Sequence, residues 1–406
     1  MNILYISYDG MTDPLGQSQV LPYLKGLSKE GYNFHLISFE KPDRFKAHAE
    51  TIRKICKESN IEWHPLSYTK NPPVFSTLWD VRKMKSLALK LHKLHRFEVI
   101  HCRSYLSALV GLHFKRRLQV PFLFDMRGFW ADERIDGKIW ELKNPLYRSI
   151  YNFFKKKEKQ FFRDSDHIIS LTHNGKEEIL GNICPELSEQ KITVIPCCVD
   201  LELFNPKKIK PEEQQQLKNK LGINENEFII GYVGSIGTWY MLPEMLQHFK
   251  AIKKTTENAR FLFVTGENKE TIYAEAIKKG IQSSDLIITS CLHKEVPLHV
   301  SLFNAGIFFI RPTFSKKASS PTKQGEIMAM GIPLICNAGV GDTDRIVRNY
   351  SAGIVIDDLN NMPKEIIELM KHSFDPAKTM QGASEFYGLN EGVKRYLSVY
   401  HHLTQD

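Results

Sequence analysis

Two segments of the chain combine residue types that can hold a phosphorylated ligand. The first is Tyr8-Asp9-Gly10-Met11-Thr12-Asp13-Pro14-Leu15-Gly16-Gln17-Ser18-Gln19. Gly16 allows the start of a following helix to lie close to a ligand, and amides at a helix N-terminus attract phosphate. The spacing is not Gly-x-Gly-x-x-Gly, so it is no dinucleotide fingerprint. A loop that only turns the chain fits this segment about as well. The second segment is Ser315-Lys316-Lys317-Ala318-Ser319-Ser320-Pro321-Thr322-Lys323-Gln324-Gly325-Glu326, running into Ile327-Met328-Ala329-Met330-Gly331-Ile332-Pro333. Ser320 precedes Pro321 as an N-cap precedes a proline at the first helical position. Three lysines and several amides would then converge on one helix N-terminus, which suits a diphosphate. Glu326, about one turn into that helix, adds an acceptor for a diol such as a nucleotide ribose. The competing reading is a solvated basic loop with Glu326 as an ordinary first-turn acid. The ligand reading ranks higher, because Gly331 and Pro333 lead directly into another buried strand.

Other candidates are less specific. Asp132 and Glu133 are adjacent acids within Asp125–Asp136, open either to an acceptor-side base or to local ion pairs on a surface loop. His101, Cys102 and Arg103 end a strand, where packing is the better account of Cys102. Phe153-Phe154-Lys155-Lys156-Lys157-Glu158-Lys159-Gln160-Phe161-Phe162, with His113, Lys115, Arg116 and Arg117, could seat on an anionic membrane. For that stretch alone, a helix burying its aromatics with its lysines in water is preferred.

The elements that must position these residues are legible as short apolar runs. In the first half they are Asn2–Ser7, Phe34–Phe39, Glu98–Cys102, Pro121–Asp125, His167–Leu171 and Ile192–Pro196. In the second half they are Phe228–Gly234, Arg260–Gly266, Leu286–Ser290, Gly306–Ile310, Pro333–Cys336 and Gly353–Asp357. Near-continuous apolar character suits strands buried on both faces of a parallel sheet. Helical spacing lies between them, as in Leu78–His95, Tyr105–Leu118, Met241–Lys254 and Pro363–Lys371. The alternation predicts a doubly wound α/β architecture. It breaks at Leu203–Glu227, where Pro206, Pro211 and the helix-like Glu212–Lys220 read as an interdomain connection. The expected division is a first domain at 1–205, connection plus second domain at 206–384, and a C-terminal helix within 385–406. The helix Glu391–Leu403 carries Val393, Tyr396, Leu397, Tyr400 and Leu403 on one face, and should pack back on the first domain. In open parallel sheets, ligands bind at the carboxyl ends of the strands. The expected site is a cleft between two such sheets.

Composition narrows the function. The 406 residues include 55 Lys plus Arg against 46 Asp plus Glu, a formal net charge of +9, with 42% hydrophobic residues. That is an ordinary globular composition. The first residues lack a basic leader, and the uncharged stretch Val296–Ile310 is too short and polar to span a bilayer. A soluble, cytoplasmic protein is expected. The 7 cysteines are scattered without C-x-x-C spacing, which disfavours a metal cluster or disulfide framework.

The run Ser320-Pro321-Thr322-Lys323…Glu326…Ala329…Gly331-Ile332-Pro333 resembles the donor-binding segment of retaining GT-B glycosyltransferases, family 4. Asp13-Pro14-Leu15-Gly16-Gln17-Ser18-Gln19 and Asp125-Met126-Arg127-Gly128-Phe129-Trp130-Ala131-Asp132-Glu133-Arg134 are similar to members that make bacterial surface polysaccharides. Ile195-Pro196…Val199-Asp200…Phe204 matches the segment leading into the second domain. The resemblance implies two Rossmann-like domains facing a central cleft. It implies a Glu-x7-Glu pattern, in which the second Glu holds the ribose and the first approaches the donor sugar. Glu326 matches the second; Ala318 stands at the first. Arg127 stands where members often carry a His near the sugar. The loop Gly234-Ser235-Ile236-Gly237-Thr238-Trp239-Tyr240 lacks the Arg and Lys with which many members grip the diphosphate. Lys323, Arg127 and Lys316 are the candidates to supply that charge.

The expectation is a retaining, metal-independent transferase moving a sugar from a nucleotide-sugar, with uridine diphosphate as the carrier, to a glycan or lipid-linked glycan. Arg127, Lys323 and Glu326 are its catalytic candidates. Gly16, Gly234, Ser235, Gly237, Thr238, Ser320, Thr322, Lys323 and Glu326 are its donor-binding candidates. Asp13, Arg103, Asp132 and Glu133 are candidates on the acceptor side. No cofactor is expected, since the nucleotide-sugar is a substrate, and no metal, since fixed donors and cations suffice to stabilise the leaving diphosphate. Peripheral contact with an anionic membrane on the cytoplasmic face is a further expectation. Nucleic acid is not expected, as the lysines form no continuous aromatic-interleaved stripe. The alternatives are a nucleotide-sugar epimerase on the same fold and a non-catalytic subunit or glycan-binding partner.

Overall fold

The computed structural model describes residues 1–359 and 374–404. The chain forms two compact units. The first comprises Met1–Pro196, Lys317–Ser319 and Leu389–Asp406, and the second Cys197–Lys316 and Ser320–Gly388.

The first unit is built on 7 strands: β1 (Asn2–Ser7), β2 (Asn33–Glu40), β3 (Ile61–Ser67), β4 (Val99–Arg103), β5 (Phe122–Asp125), β6 (His167–Ser170) and β7 (Ile192–Val194). They lie in the order β3-β2-β1-β4-β5-β6-β7, and every neighbouring pair is parallel. The second unit has 6 strands: β8 (Phe228–Val233), β9 (Ala259–Val264), β10 (Leu286–Thr289), β11 (Ala305–Phe308), β12 (Leu334–Asn337) and β13 (Gly353–Ile356). Their order is β10-β9-β8-β11-β12-β13, again parallel throughout. Central strands are apolar because helices cover both faces. Leu4, Ile6, Ile100, Phe122 and Phe124 are fully buried in the first core, as are Ile230, Phe261, Leu262 and Ile307 in the second. In both sheets the reversal of strand order sets the loops after the central strands side by side at one edge.

The apolar runs predict all of these strands except β3. It is an edge strand whose Glu62, His64 and Pro65 interrupt the pattern, and proline is tolerated there because one side of an edge needs no ladder bond. The expected helices form at Phe75–His95, Ser104–Leu118, Pro211–Leu221, Leu242–Thr255 and Leu389–Thr404; Pro363–Lys371 lies outside the described residues. On Leu389–Thr404 the buried face is Val393, Tyr396, Val399, Tyr400 and Leu403, with Val399 taking the place expected for Leu397. Phe153–Phe162 lies inside the helix Pro145–Asp164, which buries Phe154, Phe161 and Phe162 and leaves Phe153 exposed.

Candidate functional site

In the first unit, the loop after β1 is pinned from below by a residue the sequence reading passed over. Glu40, buried at the end of β2, accepts hydrogen bonds from the Met11 amide at 2.8 Å, the Thr12 amide at 3.0 Å and the Thr12 hydroxyl. Those amides are therefore committed to a carboxylate of the protein. Gly16 is needed for packing within the loop: a Cβ there would stand 2.3 Å from the Gly10 carbonyl oxygen and 2.6 Å from Met11 Cα. Asp13 pairs with Lys41 at 2.8 Å.

At the ends of β4 and β5 the side chains of Arg103, Asp125 and Arg127 are buried, and each lies beside a group of opposite charge. Arg103 reaches Asp9 at 2.6 Å, and Arg127 Nη1 lies 3.8 Å from Asp125 Oδ1. Tyr396, on the C-terminal helix, donates to Asp125 Oδ2 at 3.1 Å, and the Tyr400 hydroxyl meets His101 Nδ1 at 2.7 Å. Burial alone would push the Asp125 carboxyl up, but Arg127, His101 and Arg103 outweigh it and hold the value below the ordinary range. Burial lowers the His101 pKa below its ordinary value, against the pull of Asp125. Arg127 adopts φ 58° and Gly128 φ 126°. A left-handed arginine at a strand end is backbone strain held by its surroundings.

Asp132 is not free to act as a base. It lies in the helix Trp130–Asp136 and accepts from Tyr151 at 2.8 Å and Lys155 at 2.7 Å. Lys155 also pairs with the fully buried Glu158, which accepts from the Tyr105 hydroxyl. This network ties three helices together, so Asp132 has the ion pairing of the second reading, on a helix and not on a surface loop. Glu133 lies beside it on the same helix, half-buried.

The basic segment of the second unit also divides differently from expectation. The three lysines do not converge. Lys317 pairs with Glu178 at 2.7 Å within the first unit, to which Lys317–Ser319 belongs. Ala318 is fully buried in the first core. Lys316 lies over the Trp239 ring, 3.7 Å from its centroid. The helix begins at Thr322 with Pro321 at the N-cap. Ser320 is instead held by the Cys197 amide, which donates to its hydroxyl at 3.1 Å.

Lys323 alone occupies the start of that helix. Its Nζ donates to the Tyr232 hydroxyl at 2.7 Å and stands 3.9 Å and 3.6 Å from the ring centroids of Tyr232 and Tyr240. Burial drives its pKa well below the ordinary lysine value, and Glu326 offsets this only in part. No carboxylate among the described residues pairs with it. Gly234 (φ 104°) follows β8, and a Cβ on it would come within 3.4 Å of Lys323 Nζ. Ser235 accepts the Tyr232 hydroxyl through its carbonyl at 2.5 Å, while Gly237 and Thr238 continue the loop in solvent. Thr322, the first residue of the helix, has no intrahelical partner for its amide. One turn beyond Lys323, Glu326 stands 3.4 Å from His293 Nε2, and that contact raises the His293 pKa against the pull of burial. His293 packs edge-on against Phe204. Tyr232, Tyr240 and His293 escaped the sequence reading: the tyrosines look like core residues of an apolar run, and His293 lies in a segment without a motif.

Parallel sheets in both units, with a buried cation at a helix N-terminus and an acid one turn along, define the class as a GT-B protein. Residues 17–203 match the family model described as Glycosyltransferase Family 4, and residues 213–384 match Glycosyl transferases group 1. The chain belongs to the family 4 glycosyltransferases.

Its relatives include the D-inositol 3-phosphate glycosyltransferase of Segniliparus rotundus, 23% identical over 66% of this chain and 56% of the relative. The alpha-monoglucosyldiacylglycerol synthase of Acholeplasma laidlawii is 22% identical over 72% and 69%. The capsular polysaccharide biosynthesis glycosyltransferase CapM of Staphylococcus aureus is 22% identical over 83% and 81%. The match thus spans little more than half the length of the first of these. Among solved structures, a glycosyltransferase from Rickettsia africae superposes with TM-score 0.72 at 16% identity, covering 100% of this chain and 99% of that one. Anabaena HepE, solved with UDP and glucose, superposes with TM-score 0.68 at 12% identity, covering 98% and 99%. These likenesses establish the fold.

Proposed function

We propose that the protein transfers a sugar, with retention of configuration, from a uridine diphosphate sugar to a glycan or lipid-linked glycan in the building of a surface polysaccharide. The observation that carries this reading is Lys323: a buried cation at a helix start, without a carboxylate partner among the described residues. A diphosphate supplies the missing counter-charge, and its negative charge grows as the sugar–phosphate bond breaks. A fixed cation and first-turn amides in a desolvated place stabilise that leaving group. Glu326, oriented by His293, accepts from the ribose hydroxyls. Gly234, Ser235, Gly237 and Thr238 border the diphosphate. No cofactor enters this proposal.

The first unit takes the acceptor, with Asp13, Arg103 at the end of β4, Arg127 after β5 and Glu133 on the helix Trp130–Asp136; Asp132 is left out because both its oxygens already accept, from Tyr151 and Lys155. The UDP complex of HepE and the name of CapM support the nucleotide and the product class. The epimerase alternative is disfavoured because both family models are those of transferases.

Consumption of nucleotide-sugars with and without acceptor tests the reading. Transfer requires both substrates, an epimerase turns over without acceptor, and a binding subunit consumes neither. Glu326→Ala should weaken UDP binding about 10- to 100-fold; unchanged calorimetric affinity would remove it from the ribose site.

We also propose peripheral membrane contact through the helix Pro145–Asp164. Leu146 and Phe153 are exposed there beside Arg148 and Lys156, with Ile139 and Leu142 exposed just before it. No helix among the described residues is long and apolar enough to cross a membrane. Co-sedimentation with phosphatidylglycerol vesicles, lost in Phe153→Ser, would support the contact; equal binding by both proteins would refute it.

A further inference from the structure

At the end of the first sheet opposite the strand-end loops, four side chains from three elements meet. His35 and Glu62 are register partners on β2 and β3, and His64 is the partner of Ile37. Side chains alternate along strands, so His35, Glu62 and His64 stand on one face of the sheet. His95 is the last residue of the helix Phe75–His95, whose Met84, Ala88 and Leu91 share a core with Ile37. The His95 and His35 rings are 4.1 Å apart, centroid to centroid.

The spacing of the ligating atoms is informative. His35 Nδ1 lies 3.2 Å from His64 Nε2 and 3.4 Å from Glu62 Oε2, and His64 Nε2 lies 3.5 Å from Glu62 Oε1. A ligating atom of His95 falls within 4.8 Å of those of His35 and Glu62. Around a tetrahedral ion with metal–ligand bonds of about 2.0–2.1 Å, adjacent ligand atoms are separated by about 3.3–3.4 Å. Four atoms of three side chains, His35 Nδ1, His64 Nε2 and both Glu62 oxygens, already stand near such spacings, and His95 approaches His35 and Glu62.

We propose that His35, Glu62, His64 and His95 bind one divalent transition-metal ion of the zinc class. Three imidazoles with one carboxylate suit zinc, nickel or copper, whereas calcium and magnesium prefer oxygen alone. His35 is buried and Glu62 largely exposed, so the ion enters past Glu62. Glu40, which holds the β1 loop, lies five residues beyond His35 on β2, or about 17 Å along the strand. The ion therefore takes no part in sugar transfer. It clamps the edge strand β3 to β2 and to the end of the covering helix.

The test uses the full chain, stripped of metal with a chelator and titrated with Co²⁺ and then Zn²⁺. One equivalent of Co²⁺ should bind with the strong visible absorption of four-coordinate cobalt. Zn²⁺ should displace it and raise the thermal midpoint, leaving turnover of nucleotide-sugar unchanged. His64→Ala and the conservative Glu62→Gln should each weaken binding by about 10-fold or more. The proposal is overturned if no saturable binding tighter than about 1 mM is found. Unchanged affinity in both variants, each folded by circular dichroism, would overturn it equally.

Discussion

At the carboxyl end of the first sheet the buried Arg103 has Asp9 and Arg127 has Asp125, and on the helix Pro145–Asp164 the half-buried Lys155 has Asp132 and Glu158. At the carboxyl end of the second, Lys323 has two tyrosine rings and a phenolic hydroxyl. Both regions carry positive charge away from water, and desolvation works against it in each. In the first, the opposing charge is built into the chain, and the result is a rigid frame. In the second no carboxylate among the described residues supplies it, and on the function proposed above a diphosphate would. Net charge does not distinguish them; the presence or absence of an internal partner does.

The sharpest way to break this comparison is to remove one partner from the first region. Asp125→Ala removes the carboxylate that Arg127 approaches at 3.8 Å and the acceptor of the Tyr396 hydroxyl. Breaking a buried pair by removing one partner costs about 3–5 kcal/mol, a loss to be read from urea denaturation. UDP affinity of the folded protein should stay near that of the parent. If Asp125→Ala is as stable as the parent, the frame is not electrostatic.

Lys323→Met tests the second region with the opposite signature. Turnover should fall about 10²- to 10³-fold, while stability stays level or rises because a desolvated cation is gone. The sign follows from protonation. The folded Lys323 pKa lies below its unfolded value of 10.5, so between the two values the unfolded chain binds more protons. The stability due to this group therefore increases with pH across that window and is penalised as pH falls through it. An arriving diphosphate raises the folded pKa again, and binding within the window takes up a proton. The calorimetric enthalpy should then depend on the ionisation heat of the buffer in the parent and not in Lys323→Met. A Lys323→Met protein that loses stability as Asp125→Ala does would erase the distinction between the regions.

The fold was readable in the sequence because buried parallel strands must be apolar on both faces, so central strands such as β1, β8 and β9 announce themselves. β3 did not, since an edge strand may carry Glu62, His64 and Pro65. The two chemical segments were also readable, because glycine, proline and lysine at fixed offsets constrain the backbone locally. What those segments contact was not. Nothing adjacent to Gly10 signals that Glu40, thirty residues on, occupies the amides of Met11 and Thr12. Likewise, the run Ser315–Glu326 reads as one basic loop, although burial of Ala318 draws Lys317 into a different unit from Lys323. Local rules give backbone geometry; long-range packing decides which groups are already satisfied, and in this chain that separates frame from site.

The smallest effect expected is at His293, which sharpens the comparison because it pairs with the acid proposed to hold the ribose. Its side chain is 55% exposed, so solvent screens the pair, and exposed pairs are worth little. His293→Asn should weaken UDP binding only about 2- to 5-fold, with stability unchanged. The pH dependence carries more information than the magnitude. Contact with Glu326 raises the His293 pKa above its ordinary 6.5, so the pair is fully formed below 6.5 and is lost as pH rises through the raised value. UDP affinity of the parent should decline slightly across that range as Glu326 loses its orienting partner. In His293→Asn the decline should be absent. A profile that is identical in the two proteins would mean that Glu326 is positioned by its own helix, and that the second region, unlike the first, works without any internal ion pair.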